Sequence, residues 1–297
     1  MDQIRKSYLQ LHTAVFLFGF TAILGALIHL SALVVVWWRL FFTCLSIMLL
    51  INVFKKIKET SYQLLLQLMG IGLLVAMHWI TFFGSIKLSN ASITLVCMAT
   101  TAFFTSFIEP LVMKSSWRGY ELLLGLMIVP GMIFVVQGID TNMVSGVWVG
   151  LLSAILAAIF ASFNKQVISK SDPMFITFIE LGTGWLFICV LLLGMWVTGT
   201  TLDFWPKKMD WTYLVILALL CTTLGYVLAL KALRYISAFV SMLALNLEPV
   251  YGILLAYFIL KDGEELTVKF YIGVVIILTS IFLHPWLKRK FSKSIEV

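Results

Sequence analysis

Long apolar runs follow one another along this chain with only short polar breaks between them, and no other feature constrains the fold as tightly. A helix needs about 20 predominantly apolar residues to cross the hydrocarbon core of a bilayer. Ten stretches meet that need, at roughly 10–29, 32–53, 62–86, 90–113, 119–138, 146–168, 174–197, 211–230, 237–259 and 270–287. They use most of the 297 residues, leaving no room for a soluble catalytic or nucleotide-binding domain. The runs lack two-residue alternation, which points to helices and away from barrel strands. The weakest break is Leu30-Ser31-Ala32, where a tight turn is expected between the first two spans. Arg5 and Lys6 precede the first run as in a signal peptide, but no small-residue cleavage site follows, so the run is taken as a span.

Composition agrees. Hydrophobic residues make up 61% of the chain and charged ones 12%, too few to cover a water-soluble surface. With the N-terminus cytoplasmic, the inner side receives Arg5, Lys6, Lys55, Lys56, Lys58, Lys114, Arg118, Lys165, Lys170, Lys231, Arg234 and the C-terminal group Lys288, Arg289, Lys290 and Lys293. The outer side receives only Arg39, Lys87, Lys207, Lys208, Lys261 and Lys269. Basic residues are retained on the cytoplasmic face, so both termini are expected inside, in a multi-pass protein of the inner (plasma) membrane. The net charge of +7 therefore reports topology, since no basic patch interleaved with aromatics offers itself to a nucleic acid. Cys44, Cys97, Cys189 and Cys221 all fall inside spans without metal-ligand spacing and are expected to pack as small side chains.

The polar joint Asp140-Thr141-Asn142 divides the chain near its middle, leaving five spans on each side. Because five is odd, two similar halves, 1–140 and 141–297, would lie in the membrane with opposite orientation. The expected fold is thus an all-α membrane protein with ten transmembrane helices arranged as two inverted five-helix repeats. An offset of 147 residues sets Lys87 against Arg234, Ala91 against Ala238, Thr94 against Ser241 and Lys114 against Lys261. An offset of 148 sets Gly125 against Gly273. In span six, Gly146 and Gly150, Ala154 and Ala158, and Ala157 and Ala161 recur at four-residue spacing, which lets helix backbones approach closely in lipid.

Segment 226–274 carries a small-basic-aromatic turn (Ala232 to Ser237), an apolar helix with Glu248-Pro249, and the turn Gly263-Glu264-Glu265-Leu266-Thr267. In this it resembles the second repeat of the drug/metabolite transporter superfamily, specifically its EamA-type ten-helix members. Segment 78–114 resembles the first repeat. It departs in having Thr101-Ala102 opposite Glu248-Pro249, and Ser-Ser-Trp-Arg after Lys114. The resemblance implies an antiparallel pair of five-helix halves around a central cavity, with a small-molecule substrate that it leaves unspecified.

Ionisable groups inside spans are costly to bury, so each is a functional candidate. Glu248 stands near the middle of span nine, and Pro249 removes a backbone hydrogen bond there and frees carbonyls. It is expected to bind substrate or exchange a proton, or else to serve as a structural carboxylate; Asn246 adds an amide beside it. His78 and Trp79 in span three, next to Thr81 and Phe82-Phe83, are expected to line the cavity. Arg39 follows Trp37-Trp38 near the outer end of span two. The tryptophans read as interface anchors and the arginine as snorkelling outward, with capture of a carboxylate the alternative. Glu180, followed by Gly182 and Gly184, is a further candidate, whereas Glu109 is expected to pair with Lys114 or Arg118. His29 and His12 sit near span ends with no role assigned. No phosphate-binding Gly-Lys-Ser/Thr loop, serine nucleophile motif or zinc-type histidine pair is present. The expectation is a carrier with no cofactor or metal, moving a small polar metabolite such as an amino acid, and exporting it in preference to importing it. Multidrug or cationic-compound export and a non-transporting lipid-handling or assembly role stand as alternatives. The bilayer is its surrounding; a homodimer is allowed but not required.

Overall fold

Polar turn residues cut the apolar runs into helices by capping their first free amides. Asn52 accepts from the Lys55 amide at 3.0 Å, Ser61 from Leu64 at 3.3 Å, Asn90 from Ile93 at 2.9 Å, and Asp172 from Met174 at 2.8 Å. Ser237 caps Val240 at 3.2 Å. The computed structural model describes residues 3–117, 119–245, 247–261 and 266–292, and every regular element among them is helical. The helices are α1 (Gln3–Leu27), α2 (Ala32–Leu50), α3 (Val53–Glu59), α4 (Tyr62–Leu88), α5 (Ala91–Ala99), α6 (Thr101–Met113) and α7 (Gly119–Gln137). After the midpoint come α8 (Val144–Val167), α9 (Pro173–Val197), α10 (Lys208–Ile216), α11 (Gly225–Leu233), α12 (Ala238–Leu245), α13 (Glu248–Leu255) and α14 (Val268–Ser292). A π-helical stretch, Leu217–Leu224, joins α10 to α11, and another, Ala256–Leu260, extends α13.

Seven helical stretches among the described residues are long and apolar enough to cross a membrane. The other three expected spans coincide with α7, with α12 and α13, and with α14, whose apolar stretches Ile128–Gln137, Glu248–Leu260 and Val268–Thr279 are shorter. The turn expected near Leu30 separates α1 from α2. Span two ends earlier than expected, and its tail turns into the short basic helix α3, tied to the start of α9 by Lys56–Asp172 at 3.7 Å. The motif residues Gly263, Glu264 and Glu265, like Asn246 and Arg118, lie outside the described residues.

Helix packing crosses the midpoint of the chain. Helix α4 lies along α8 and α9, α1 along α11 and α13, α2 along α9 and the Leu217–Leu224 stretch, and α7 along α14. The small residues of span six do pack closely: Gly146 faces Ser89, and Gly150 faces Ser85 and Cys97. The Ser85 hydroxyl donates to the Gly146 carbonyl at 2.8 Å. Helices α7 and α14 meet through glycine: a Cβ on Gly273 would press on the Gly131 carbonyl and on Val135. Gly273→Ala is therefore expected to lower stability by about 1–3 kcal/mol, measured as thermal melting of the detergent-purified protein. An unchanged melt would mean that the two helices separate freely.

Three sequence expectations change here. Trp38 is no surface anchor: it is buried, donates from Nε1 to the Phe204 carbonyl at 2.9 Å, and packs with Trp37, Phe42 and Trp211 under the loop before α10. His29 has a structural part after all. Its amide and Nδ1 approach the buried carboxylate of Asp210 at 3.3 and 3.2 Å, fastening the α1–α2 turn to α10. Glu109 turns from Lys114 to the N-terminus of α12, where the Ala238 and Phe239 amides donate to it at 3.0 and 2.6 Å. Four unpaired N–H groups at a helix start attract a carboxylate more strongly than an exposed lysine does.

Candidate functional site

Spans four and nine are both broken midway, and the two breaks meet at one cavity. Between α5 and α6 the chain passes through Thr100, whose hydroxyl donates back to the Cys97 carbonyl at 2.7 Å. Thr101 follows, donating to Met98 at 2.6 Å. Such back-bonding from Thr competes with the regular helix ladder and weakens it locally. Between α12 and α13 the break precedes Glu248, and Pro249, having no N–H, leaves the Leu245 carbonyl without its helical donor. Thr101, Leu245, Glu248 and Pro249 all line the cavity, which holds about 970 Å³ of empty space, part of it open to the outside.

Arg39 enters from the middle of α2. It is 2% exposed, so it does not snorkel outward. Its Nε donates to the Thr222 hydroxyl at 2.6 Å, which in turn donates to the Leu217 carbonyl at 2.7 Å. The π-helical winding of this stretch sets Thr222 bonding five residues back. The guanidinium carbon lies 3.9 Å from the centre of the Trp79 ring, a cation–π contact that anchors the group to the wall. Its Nη1 has no protein partner. Among the described residues no ion pair joins Arg39 to Glu248. Thus the guanidinium of Arg39 and the carboxyl group of Glu248 face the same cavity without touching each other.

His78 on α4 is clamped to α8. Its Nδ1 lies 3.0 Å from the Ser153 carbonyl, and the Ser153 hydroxyl donates to the His78 carbonyl at 3.0 Å. The Ser153 hydroxyl also lies 2.9 Å from Nδ1, so α8 holds the ring through both its backbone and its side chain. Phe82 and Phe160 flank the ring. Trp79, Tyr226 and Asn164 continue the wall. Buried polar atoms without a protein partner recur around this lining: Arg39 Nη1, Thr21 Oγ1 and Ser241 Oγ. Buried polar groups normally find partners, so such a cluster marks a place built for a polar guest.

Of the residues singled out in the sequence, Glu248, His78, Trp79 and Arg39 come together on this cavity. Glu180 stands one layer behind it, where Tyr226 donates to its Oε2 at 2.7 Å. Asn246 lies outside the described residues. Sequence reasoning missed Asn164, Tyr226 and Thr222. Asn164 had a legible signal, an amide inside an apolar run, the same cost that singled out Glu180. Thr222 had none, because its part depends on α2 lying beside it.

The cavity extends toward the end of the bundle where α1 begins and α11 ends, at Leu11 and Leu233. There it is bounded by a small apolar cluster of Leu11, Val15, Ala232 and Ile236. The opposite end is filled by the main core, running from Ile23, Leu24 and Ile28 through Phe83 and Ile86 to Leu95.

Comparisons with known proteins agree on the class. Residues 144–284 match the model of the EamA-like transporter family. An uncharacterized transporter from Clostridium kluyveri is 27% identical over 240 residues, covering 75% of this chain and 73% of that protein. One solved crystal structure superposes with a TM-score of 0.68 at 12% identity, over 96% of this chain and 98% of the other, which shows a shared fold. The chain is a multi-pass membrane protein whose second half is similar to the EamA-like transporter family.

Proposed function

We propose that the protein is a ten-span secondary carrier that exports a small zwitterionic metabolite, such as an amino acid, across the inner membrane by alternating access. The observation that carries this is a guanidinium and a carboxyl group on one cavity with no ion pair between them: Arg39 suits a carboxylate and Glu248 an ammonium group, with Trp79, Phe82 and Phe160 as apolar surroundings. A purely cationic drug would meet the buried guanidinium as a like charge, which argues against the cationic-compound reading.

Two inverted halves are supported by residues 147 positions apart that do the same work. Lys87 donates to the Ile28 carbonyl at the end of α1, and Arg234 to the Ile168 and Ser171 carbonyls beyond α8. Asn90 and Ser237 cap α5 and α12. Lys114 and Lys261 both take left-handed backbone, with φ of 52° and 59°. Thr101 and Glu248 share the same offset, and each opens the second part of a broken helix. Discontinuous helices in corresponding positions of two repeats are where carriers bind their substrates. With both termini cytoplasmic, the thin end of the cavity faces the cytoplasm, which supports loading from inside and release outside.

A growth screen tests this. Cells expressing the wild type or Glu248→Gln are challenged with toxic amino-acid analogues and with toxic organic cations. Resistance to the analogues that disappears in Glu248→Gln is expected. Protection against cations alone would favour the multidrug reading, and greater sensitivity of expressing cells would assign uptake in place of export.

A further inference from the structure

Glu180 is fully buried, with 0% exposure, between α9, α8 and α11. Its Oε2 accepts the Tyr226 hydroxyl at 2.7 Å and the Asn164 amide nitrogen at 3.3 Å. The remaining oxygens of this amide–carboxyl pair, Glu180 Oε1 and Asn164 Oδ1, both lack a donor. An unmet buried acceptor costs about 1–3 kcal/mol, and more if charged. Among the described residues no cation pairs with it. Arg39 of α2 is bonded to Thr222, His78 of α4 to Ser153, and Lys56 of α3 is paired with Asp172. Lys165 of α8 donates to the Leu233 and Ile236 carbonyls, and Arg234, just past α11, to Ile168 and Ser171. Lys231 of α11 is exposed. Cys44 of α2 lies near Gly182, a half-turn from Glu180. Tyr226 is the titratable group in contact.

One hydrogen satisfies the whole layer. A protonated carboxyl group offers an O–H on one oxygen and an acceptor on the other. A hydrogen on Oε1 would give Glu180 a donor to offer Asn164 Oδ1 beside the bond its Oε2 accepts from Asn164 Nδ2, the two-bond pairing of an acid with a primary amide. A hard metal cation would want about six oxygen ligands or more. This layer offers the two carboxyl oxygens, the amide oxygen and the phenol.

We propose that Glu180 is a proton-binding site separate from the solute site, and that Asn164 and Tyr226 link the two because both also line the cavity. When the proton leaves Oε1 for the cavity, Glu180 becomes an anion and draws the Tyr226 and Asn164 donors toward itself as charge-assisted bonds. Asn164 Oδ1, repelled by the new charge, is then turned to the cavity as an acceptor. Proton release thus rewrites the polar wall that a solute meets. This coupling rests on the cavity being the solute path, whereas the proton site itself can be tested without any solute.

Infrared difference spectra of the detergent-purified full chain, taken between acidic and alkaline pH, test the site with the proton as the only probe. The C=O stretch of a carboxylic acid is expected at acidic pH and lost at alkaline pH. It should be absent in Glu180→Gln, retained in Glu248→Gln, and displaced in frequency in Tyr226→Phe, which keeps Glu180 but removes its hydroxyl partner. Size-exclusion profiles verify folding, and Tyr226→Phe stands in if Glu180→Gln does not fold. A band untouched by both variants overturns the proposal. So does radioactive sodium held by the wild type and not by Glu180→Gln, which would make this a sodium site. Failure here leaves the growth screen unaffected, so the two readings fall separately.

Discussion

Arg39→Gln is expected to lower solute flux roughly a hundredfold, an effect of about 3 kcal/mol and within the range for truncating one partner of a buried charge pair. The glutamine keeps a donor for Thr222 but loses the charge and the cation–π contact with Trp79. Arg39→Lys is expected to rescue little. An ammonium group cannot both stack on Trp79 and donate sideways to Thr222, because it lacks the planar fork of a guanidinium. Initial rates in proteoliposomes, with the solute found by the growth screen, measure this. An Arg39→Gln variant that folds and transports at the wild-type rate would remove Arg39 from the solute site. The loss should also be selective: without the buried positive charge, the cavity keeps Glu248 alone and should admit organic cations better than the wild type does.

The second large effect is structural. Gly72→Val is expected to cost more than about 4 kcal/mol, the range in which single substitutions stop a domain from folding. At this crossing α4 lies so close to α9 that a Cβ on Gly72 would overlap the Glu180 carbonyl and approach its Cα and C atoms at 2.8 Å. Backbone cannot rotate aside as a side chain can, so the helices would have to part. Gly184 on the other helix has the same restriction, with Ala76 and the Gly72 carbonyl against it. Parting them would also pull Glu180 from Asn164 and Tyr226. Gly70, on the same helix, supplies the control, since nothing lies within 4 Å of its would-be Cβ. Gly70→Ala should be neutral or stabilising by up to about 1 kcal/mol through helix propensity. Yield of monodisperse protein and thermal melting read both variants, and equal behaviour of the two would show that the crossing is not tight.

Much of this was legible because the bilayer imposes simple rules. Span length follows from membrane thickness, and the turn at Leu30 and the small face of α8 follow from local chemistry. Lys114 and Lys261, set against each other at an offset of 147, share a backbone conformation that few residues with a side chain adopt. The departures have a common cause. Arg39 reads first as snorkelling outward, with carboxylate capture the alternative, Glu109 as paired with Lys114 or Arg118, and His29 as without a role, all by reasoning along the chain. Their partners, Thr222, the α12 amides and Asp210, are distant in sequence.

The residues alone were enough to establish a helical membrane protein with costly polar groups in its spans, because transfer of side chains and backbone into hydrocarbon is governed by composition and length. Which of those groups share one cavity was decided by tertiary packing. Periodicity places a side chain at a depth and on a face, but the neighbouring helix determines whether that face meets lipid, backbone or an open space. That is why Arg39 and Glu248 became two walls of one site, while Glu180, equally buried and equally conspicuous in the sequence, was set behind it.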